Sequence, residues 1–144
     1  MFTLIVSALC AGIFAGAALY ITAVEHPARL SCGTELALKE FAPSYHRATM
    51  MQVPLALTGC ASGLLSAWLL GDAWVALGAI LLGAVVPFTL VVILPTNKQL
   101  VDPGLEPHGQ RARVLLVRWG RLHAVRTLAS IAAFLIFLVR LNAF

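Results

Sequence analysis

The chain has 144 residues, of which 60% are hydrophobic and only 11% are charged. Soluble domains carry about a quarter charged residues, so much of this surface must contact lipid rather than water. The length suits one domain, residues 1–144, with room for four membrane spans of roughly 20 residues each. The net charge of +4 sits beside apolar segments, where basic residues set topology, and no basic-aromatic pattern typical of nucleic-acid binding is present. We therefore expect no nucleic-acid partner.

Residues 2–24 form the first predicted span. They are apolar throughout and exceed the 7–15 residues of a signal-peptide core, so we expect a retained transmembrane helix. Ala8, Gly12 and Gly16 recur at every fourth position, which predicts a face of small residues for close helix packing. The helix is predicted to end at residues 25–27, because proline disfavours helical angles at the residue before it.

Residues 28–50 are predicted as the first loop. A helix beginning at Thr34 would either lie at the membrane interface or lead directly into the second span, and Pro43 would kink or restart it. The third span is predicted to end at residues 95–97, which are followed by an irregular second loop over 98–109 rich in proline and glycine.

The second and third spans, residues 51–70 and 73–94, are predicted to form an antiparallel hairpin, because only a Gly-Asp pair separates them. Gly59 and Gly63 give the second span a small-residue face of its own. Such faces serve either packing inside the bundle or assembly into a homo-oligomer.

The last predicted helix combines a basic amphipathic extension, residues 110–121, with the fourth span, residues 119–141. Its uninterrupted apolar part, 127–139, has only 13 residues, which is too short to cross a bilayer. The membrane must therefore also take in the residues around His123 and Arg126.

Basic residues divide unequally between the two sides of the membrane. Four alternating spans put both long loops on one side, with eight basic residues against Arg140 alone on the other. The eight are Arg29, Lys39, Arg47, Lys98, Arg111, Arg113, Arg118 and Arg121. This asymmetry predicts cytoplasmic loops and external termini, and all four histidines lie on the same cytoplasmic side. A bacterial inner membrane is the natural assumption for a chain of this topology. The expected fold is thus an all-α integral membrane four-helix bundle with a polar cytoplasmic end.

Trp119, His123 and Arg126 are spaced i, i+4 and i+7 and share one face of the last helix. Arg126 is either an ordinary interfacial arginine that snorkels to water, or it faces inward towards a carboxylate or ligand. Its histidine and tryptophan neighbours favour the inward orientation, with Glu25 as the expected partner.

Histidines at three helix ends leave two chemistries open. His26, His46 and His123 would meet at the polar end and suit copper or iron as ligands, although no HxxxH or ExxH spacing is present. General acid–base use of one or two of them is the alternative, since the unperturbed histidine pKa lies near neutrality. No sequence pattern of an organic cofactor site occurs.

The chain resembles the anthrone oxygenase-like family of small four-helix membrane proteins. The resemblance rests on the order of short motifs: GxxxGAALY in the first span, EHPAR at 25–29, FAPSYHRA at 41–48 with Met-Gln at 51–52, Pro-Thr-Asn at 95–97, and the Trp119, His123 and Arg126 stripe. It covers essentially the whole chain.

The resemblance implies a monooxygenase acting on a planar lipophilic aromatic or quinol-type substrate, as in the oxidation of anthrones to anthraquinones. His26 or His123 would remove a proton and Arg126 would stabilise the resulting anion, with Glu25 completing the catalytic set. The expected substrate-binding residues are Tyr45, Arg47, Gln52, Asn97 and Trp119. Two alternatives stay open: a non-enzymatic ligand-binding or transport protein, and an assembly subunit of a membrane complex.

Overall fold

Four continuous helices account for most of the chain. The structure is a computed structural model that describes residues 1–143, and these contain no strand. The helices are α1 Phe2–Ser31, α2 Thr34–Leu70, α3 Ala73–Leu100 and α4 Gln110–Leu141, and each is long and apolar enough to cross a membrane. Each helix packs against two neighbours, in chain order around the bundle. The predicted all-α four-helix bundle is confirmed.

Two helices contain a π-helical turn that ends two residues before a proline. The turns are Ile21–Glu25 in α1 and Thr89–Ile93 in α3, and Pro27 and Pro95 follow them. Proline has no N–H to donate, and a locally widened turn lets the helix continue across the missing hydrogen bond. The prediction that α1 and α3 end at these prolines is therefore wrong.

The predicted first loop, residues 28–50, is helical except at positions 32 and 33. α2 begins at Thr34 and leads directly into the second span, with Pro43 and Pro54 inside the helix. At about 1.5 Å per residue its 37 residues extend roughly 55 Å, well beyond the roughly 30 Å hydrocarbon core. α2 is therefore longer than a membrane crossing requires. Its polar first third lies at the loop end, meaning the end of the bundle that carries residues 32–33 and 101–109.

The α2–α3 hairpin closes over two residues, as predicted. Gly71 adopts the left-handed conformation (φ +65°) that ends α2. Asp72 caps α3, since its Oδ1 accepts hydrogen bonds from the N–H groups of Trp74 and Val75 at 2.9 and 3.3 Å, and its Oδ2 pairs with Arg140 Nε at 2.6 Å. Burial raises the pKa of the Asp72 carboxyl, but these hydrogen bonds outweigh burial and bring the pKa below its usual value.

The apolar core consists of two clusters. The first lies towards the termini and includes Leu4, Phe14, Leu82, Val85 and Phe137. The second lies towards the loop end and consists of Ile21, Ala37, Phe41, Ile93, Leu100, Leu115, Leu116 and Trp119. The polar site described below lies between the two clusters.

Small residues let the helices approach closely inside the bundle. A Cβ at Gly59 would lie 2.5 Å from Leu82, and one at Gly63 would lie 2.8 Å from Ala79, so this face of α2 packs against α3. A Cβ at Gly16, in contrast, would meet no atom within 4 Å. A homo-oligomer formed through small-residue faces stays a prediction.

Candidate functional site

All four helices contribute polar side chains to one cavity of about 100 Å³. Phe14 and Val85 of the first core cluster and Phe41 and Trp119 of the second also line it, so it separates the two clusters. Its polar lining is Glu25, Arg29, Ser44, Tyr45, Thr49, Gln52, Thr89, His123 and Arg126. This volume is enough for several water molecules.

Within residues 1–143, the hydrogen bonds of Arg126 go to neutral acceptors. Its guanidinium donates to Gln52 Oε1 at 2.5 Å and to Thr89 Oγ1 at 3.3 Å, and it lies over the ring of Phe14 at 5.4 Å. No carboxylate in residues 1–143 forms an ion pair with Arg126, so the predicted pairing with Glu25 is wrong. A cation in apolar surroundings without a counter-ion favours an anionic ligand.

Hydrogen-bond donors exceed acceptors around this cation. Arg126 Nε and Gln52 Nε2 are both buried and have no acceptor within the described part of the chain. Tyr45, which also lines the cavity, lies close enough to Arg126 for an electrostatic interaction. Buried donors without acceptors are rare in folded proteins and indicate a site for water or for an acceptor-rich ligand.

His123 is held at one ring nitrogen. The side chain is only 2% exposed and lines the cavity, and its Nδ1 lies 3.0 Å from Thr22 Oγ1 and 3.5 Å from Thr127 Oγ1. Its Nε2 makes no hydrogen bond with any described residue. His123 and Arg126 are three positions apart on α4, so both side chains lie on the cavity face.

Trp119 is enclosed by aromatic and cationic side chains. Its ring is stacked on His123, with centroids 4.8 Å apart, and meets the edge of Phe41 at 5.2 Å. On another side it contacts His26 at 5.1 Å, and the Arg29 guanidinium lies 5.7 Å away. The predicted placement of Trp119 and His123 on one face is confirmed, and this packing fixes the orientation of both rings.

His26 contacts the site through Trp119 rather than through the cavity. It is buried, does not line the cavity, and its Nδ1 has no hydrogen-bond partner in residues 1–143. Its Nε2 reaches α4 because position 120 is glycine, where a Cβ would lie 2.6 Å from that nitrogen. Of the two histidines predicted as base, His123 is the one with a ring nitrogen available to a ligand.

Arg29 is a site residue that sequence reasoning missed. Its side chain is 3% exposed and pairs with Glu25 on α1 and Glu40 on α2, while Ser44 donates to Glu25 at 2.7 Å. In the sequence Arg29 stands out as a basic residue of the predicted first loop and as the end of the EHPAR motif, without a predicted role in the site. The signal that could have found it is the i, i+4 spacing of Glu25 and Arg29, which becomes visible once α1 is known to continue past Pro27.

Besides His26, three predicted site residues lie outside the cavity. His46 and Arg47 are exposed on α2, His46 beside the Tyr45 ring at 5.3 Å, while Asn97 is buried in α3 with its Oδ1 unpartnered among the described residues. The three histidines are therefore not brought together. No group of three His, Cys, Asp or Glu side chains within residues 1–143 is arranged to hold a metal ion, so the predicted copper or iron site finds no ligand set here.

Four helices of membrane-spanning length with an arginine-containing polar cavity between them define a small protein of the integral membrane type. A sequence model of the anthrone oxygenase family matches residues 41–136, two thirds of the chain. The chain belongs to the anthrone oxygenase family. Neither a curated protein nor a solved structure matches it.

The family match covers most of the cavity. The matched region includes Arg126 and four other residues that line the cavity with it: Tyr45, Gln52, Thr89 and His123. α1, which contributes Glu25 and Arg29 to the polar lining of the cavity, lies outside the matched region.

Proposed function

We propose that this protein is a membrane-embedded monooxygenase that oxidises a planar, lipophilic aromatic or quinol-type substrate. The observation that carries the proposal is the pairing, on one face of α4, of a histidine with an available ring nitrogen and an arginine without a carboxylate partner among residues 1–143. A base beside a preorganised cation is the arrangement needed to form and hold a carbanion or phenolate. Family membership supports the oxygenation chemistry.

His123 Nε2 would remove a proton from an acidic C–H next to a ring carbonyl, as in an anthrone. The electron pair left on carbon delocalises to the carbonyl oxygen, where the Arg126 guanidinium stabilises the negative charge. Aromatic residues Phe14, Phe41 and Trp119 provide apolar surfaces for a flat ring system.

Dioxygen is the only co-substrate that the reaction needs. The carbanion transfers electrons to O₂, a C–O bond forms, and the peroxide oxygen takes up a proton. Loss of the second C–H proton and cleavage of the O–O bond then release water and leave a carbonyl. One oxygen atom enters the product and one enters water, so CH₂ and O₂ give C=O and H₂O without an external reductant. Because the residues predicted to bind copper or iron lie apart, no step is assigned to a metal.

We further propose that the loop end is cytoplasmic and that the membrane is a bacterial inner membrane. Basic residues concentrate on this end, and the cavity lies in the half of the bundle nearer to it. A lipophilic substrate could then reach the site at the cytoplasmic membrane interface.

The test compares His123→Gln and Arg126→Gln with matched controls on the exposed surface, His108→Gln and Arg113→Gln. Purified protein in nanodiscs is mixed with an anthrone, and oxygen consumption and anthraquinone formation are measured together. Loss of the base should lower kcat by about 10²- to 10⁴-fold and loss of the cation by about 10²- to 10³-fold, while both controls keep the wild-type rate. Wild-type turnover by folded His123→Gln and Arg126→Gln variants would refute the proposal.

A ligand-binding protein without catalytic activity is the second candidate. Arg126 has no carboxylate partner among residues 1–143 and therefore suits an anionic ligand whether or not a reaction follows. Binding of hydroxylated aromatics that depends on Arg126, without oxygen consumption by any anthrone or quinol tested, would favour this candidate.

A further inference from the structure

His123 belongs to a chain of hydrogen bonds that ends on the backbone. Thr22 Oγ1 lies 3.0 Å from His123 Nδ1 and 2.8 Å from Thr127 Oγ1. Thr127 Oγ1 in turn lies 3.1 Å from the carbonyl oxygen of His123 and 3.3 Å from that of Ala18. The chain links α1, through its π-helical turn, to α4.

Three hydrogens are available to this chain when His123 is neutral: one on the imidazole and one on each hydroxyl. The 2.8 Å contact between the two threonines requires a hydrogen between their oxygens. If Thr22 donates it, Nδ1–H donates to Thr22 and Thr127 donates to a backbone carbonyl. All three hydrogens are then used.

The opposite arrangement makes fewer hydrogen bonds. If Nδ1 is unprotonated, Thr22 donates to it and Thr127 must donate to Thr22. The backbone carbonyls then lose their hydroxyl donor, and the imidazole hydrogen on Nε2 has no acceptor among the described residues. In an apolar interior, an additional satisfied donor favours the first arrangement.

We infer that Thr22 and Thr127 are positioning residues that hold His123 in the Nδ1–H tautomer and leave Nε2 as a hydrogen-bond and proton acceptor facing the cavity. When Nε2 takes a proton, the hydrogen bond from Nδ1–H to Thr22 also stabilises the imidazolium. The catalytic part of this inference rests on the proposed function, whereas the tautomer itself does not.

The tautomer is measured directly by ¹⁵N NMR of histidine-labelled protein in nanodiscs near neutral pH. The His123 signals are assigned from their absence in His123→Gln. We expect a protonated Nδ1 and an unprotonated Nε2 in the wild type. Thr22→Val keeps the side-chain shape but removes the hydroxyl, and should shift His123 towards the Nε2–H tautomer. Thr22→Ser, the matched control, should restore the wild-type spectrum.

Kinetics provide the second readout. Thr22→Val should lower kcat by about tenfold with little change in KM, and Thr22→Ser should restore it. A wild-type protein with the Nε2–H tautomer, or a Thr22→Val spectrum identical to the wild type, would overturn the inference. If the expected tautomers appear but no anthrone or quinol is oxidised, the proposed function fails and the positioning role of the threonines stands.

Discussion

Replacing Gly120 by alanine tests how tightly the His26 ring is held against α4. The added Cβ would lie 2.6 Å from His26 Nε2 and 2.7 Å from its Cδ2. Carbon atoms in contact normally lie about 3.5–4.0 Å apart, so the ring must move by roughly 1 Å. The His26 ring also packs against Trp119, and Trp119 is stacked on His123. A shift of the His26 ring therefore displaces Trp119 and, through it, His123, the proposed base.

The expected magnitudes separate stability from activity. Overpacking costs about 1–3 kcal/mol, and alanine in place of a helical glycine returns about 1 kcal/mol, which leaves a net loss of about 0–2 kcal/mol. A displacement of about 1 Å near reacting groups can lower turnover on the order of 10²-fold. We therefore expect Gly120→Ala to change the Tm only modestly but to reduce kcat strongly.

The assay measures thermal unfolding and turnover in the same micelles for Gly120→Ala and for Gly16→Ala, whose added Cβ meets no atom within 4 Å. Gly16→Ala should be neutral or stabilising. A double-mutant cycle with His26→Ala follows, since removing the ring should abolish the stability cost of Gly120→Ala. Equal effects of the two alanine substitutions, together with no coupling to His26, would refute the reasoning.

Two further predictions concern the ends of the bundle. Asp72→Ala removes the cap of α3 and one ion-pair partner of Arg140, so the free energy of unfolding should fall by about 1–3 kcal/mol. Asp72→Asn keeps a cap oxygen and should lose less than about 1 kcal/mol. The pKa of Asp72 is lower in the folded protein than in the unfolded chain, so its charge stabilises the fold above the ordinary carboxyl pKa of about 4. This stabilisation is lost as the pH falls through the lower folded-state pKa. Asp72→Asn has no carboxylate, so its stability should lack this pH dependence. Cys32 is exposed at the loop end, so an impermeant maleimide should label it only after cells are permeabilised if that end is cytoplasmic, with Cys32→Ser as the blank.

One result for each of these two residues, Asp72 and Cys32, would contradict the predictions. Identical acid unfolding profiles of the wild type and Asp72→Asn would show that this carboxylate does not contribute. Labelling of Cys32 in intact cells, absent from Cys32→Ser, would reverse the proposed orientation.

The helices were predictable because hydropathy is a property of long segments. The α2–α3 hairpin and α4 lie where the sequence predicts them, since a Gly-Asp pair and an unbroken helical pattern leave little choice. Proline was misleading at Pro27 and Pro95. A proline can either end a helix or be accommodated by a π-helical turn through which the helix continues. Contacts with neighbouring helices decide which of these occurs.

Part of the cavity lining was predictable from the sequence, but the contacts within it were not. The spacing of His123 and Arg126 on one helix fixes their common face. The partner of Arg126 depends instead on how α2 and α3 meet α4, so Gln52 and Thr89 stand where Glu25 was expected. Glu25 pairs with Arg29, four residues further along the same helix, because α1 does not end between them.

The guanidinium of Arg126 gives the protein a thermodynamic signature that requires no knowledge of its reaction. A folded bundle that leaves this charge without an anion in residues 1–143 gains stability from any ligand that supplies one, by linkage between binding and folding. At a hundredfold excess over Kd the gain is about 2.7 kcal/mol, large enough to follow by melting temperature. A panel of hydroxylated aromatics can therefore be ranked by the heat resistance they confer, and Arg126→Gln identifies those whose effect passes through this cation.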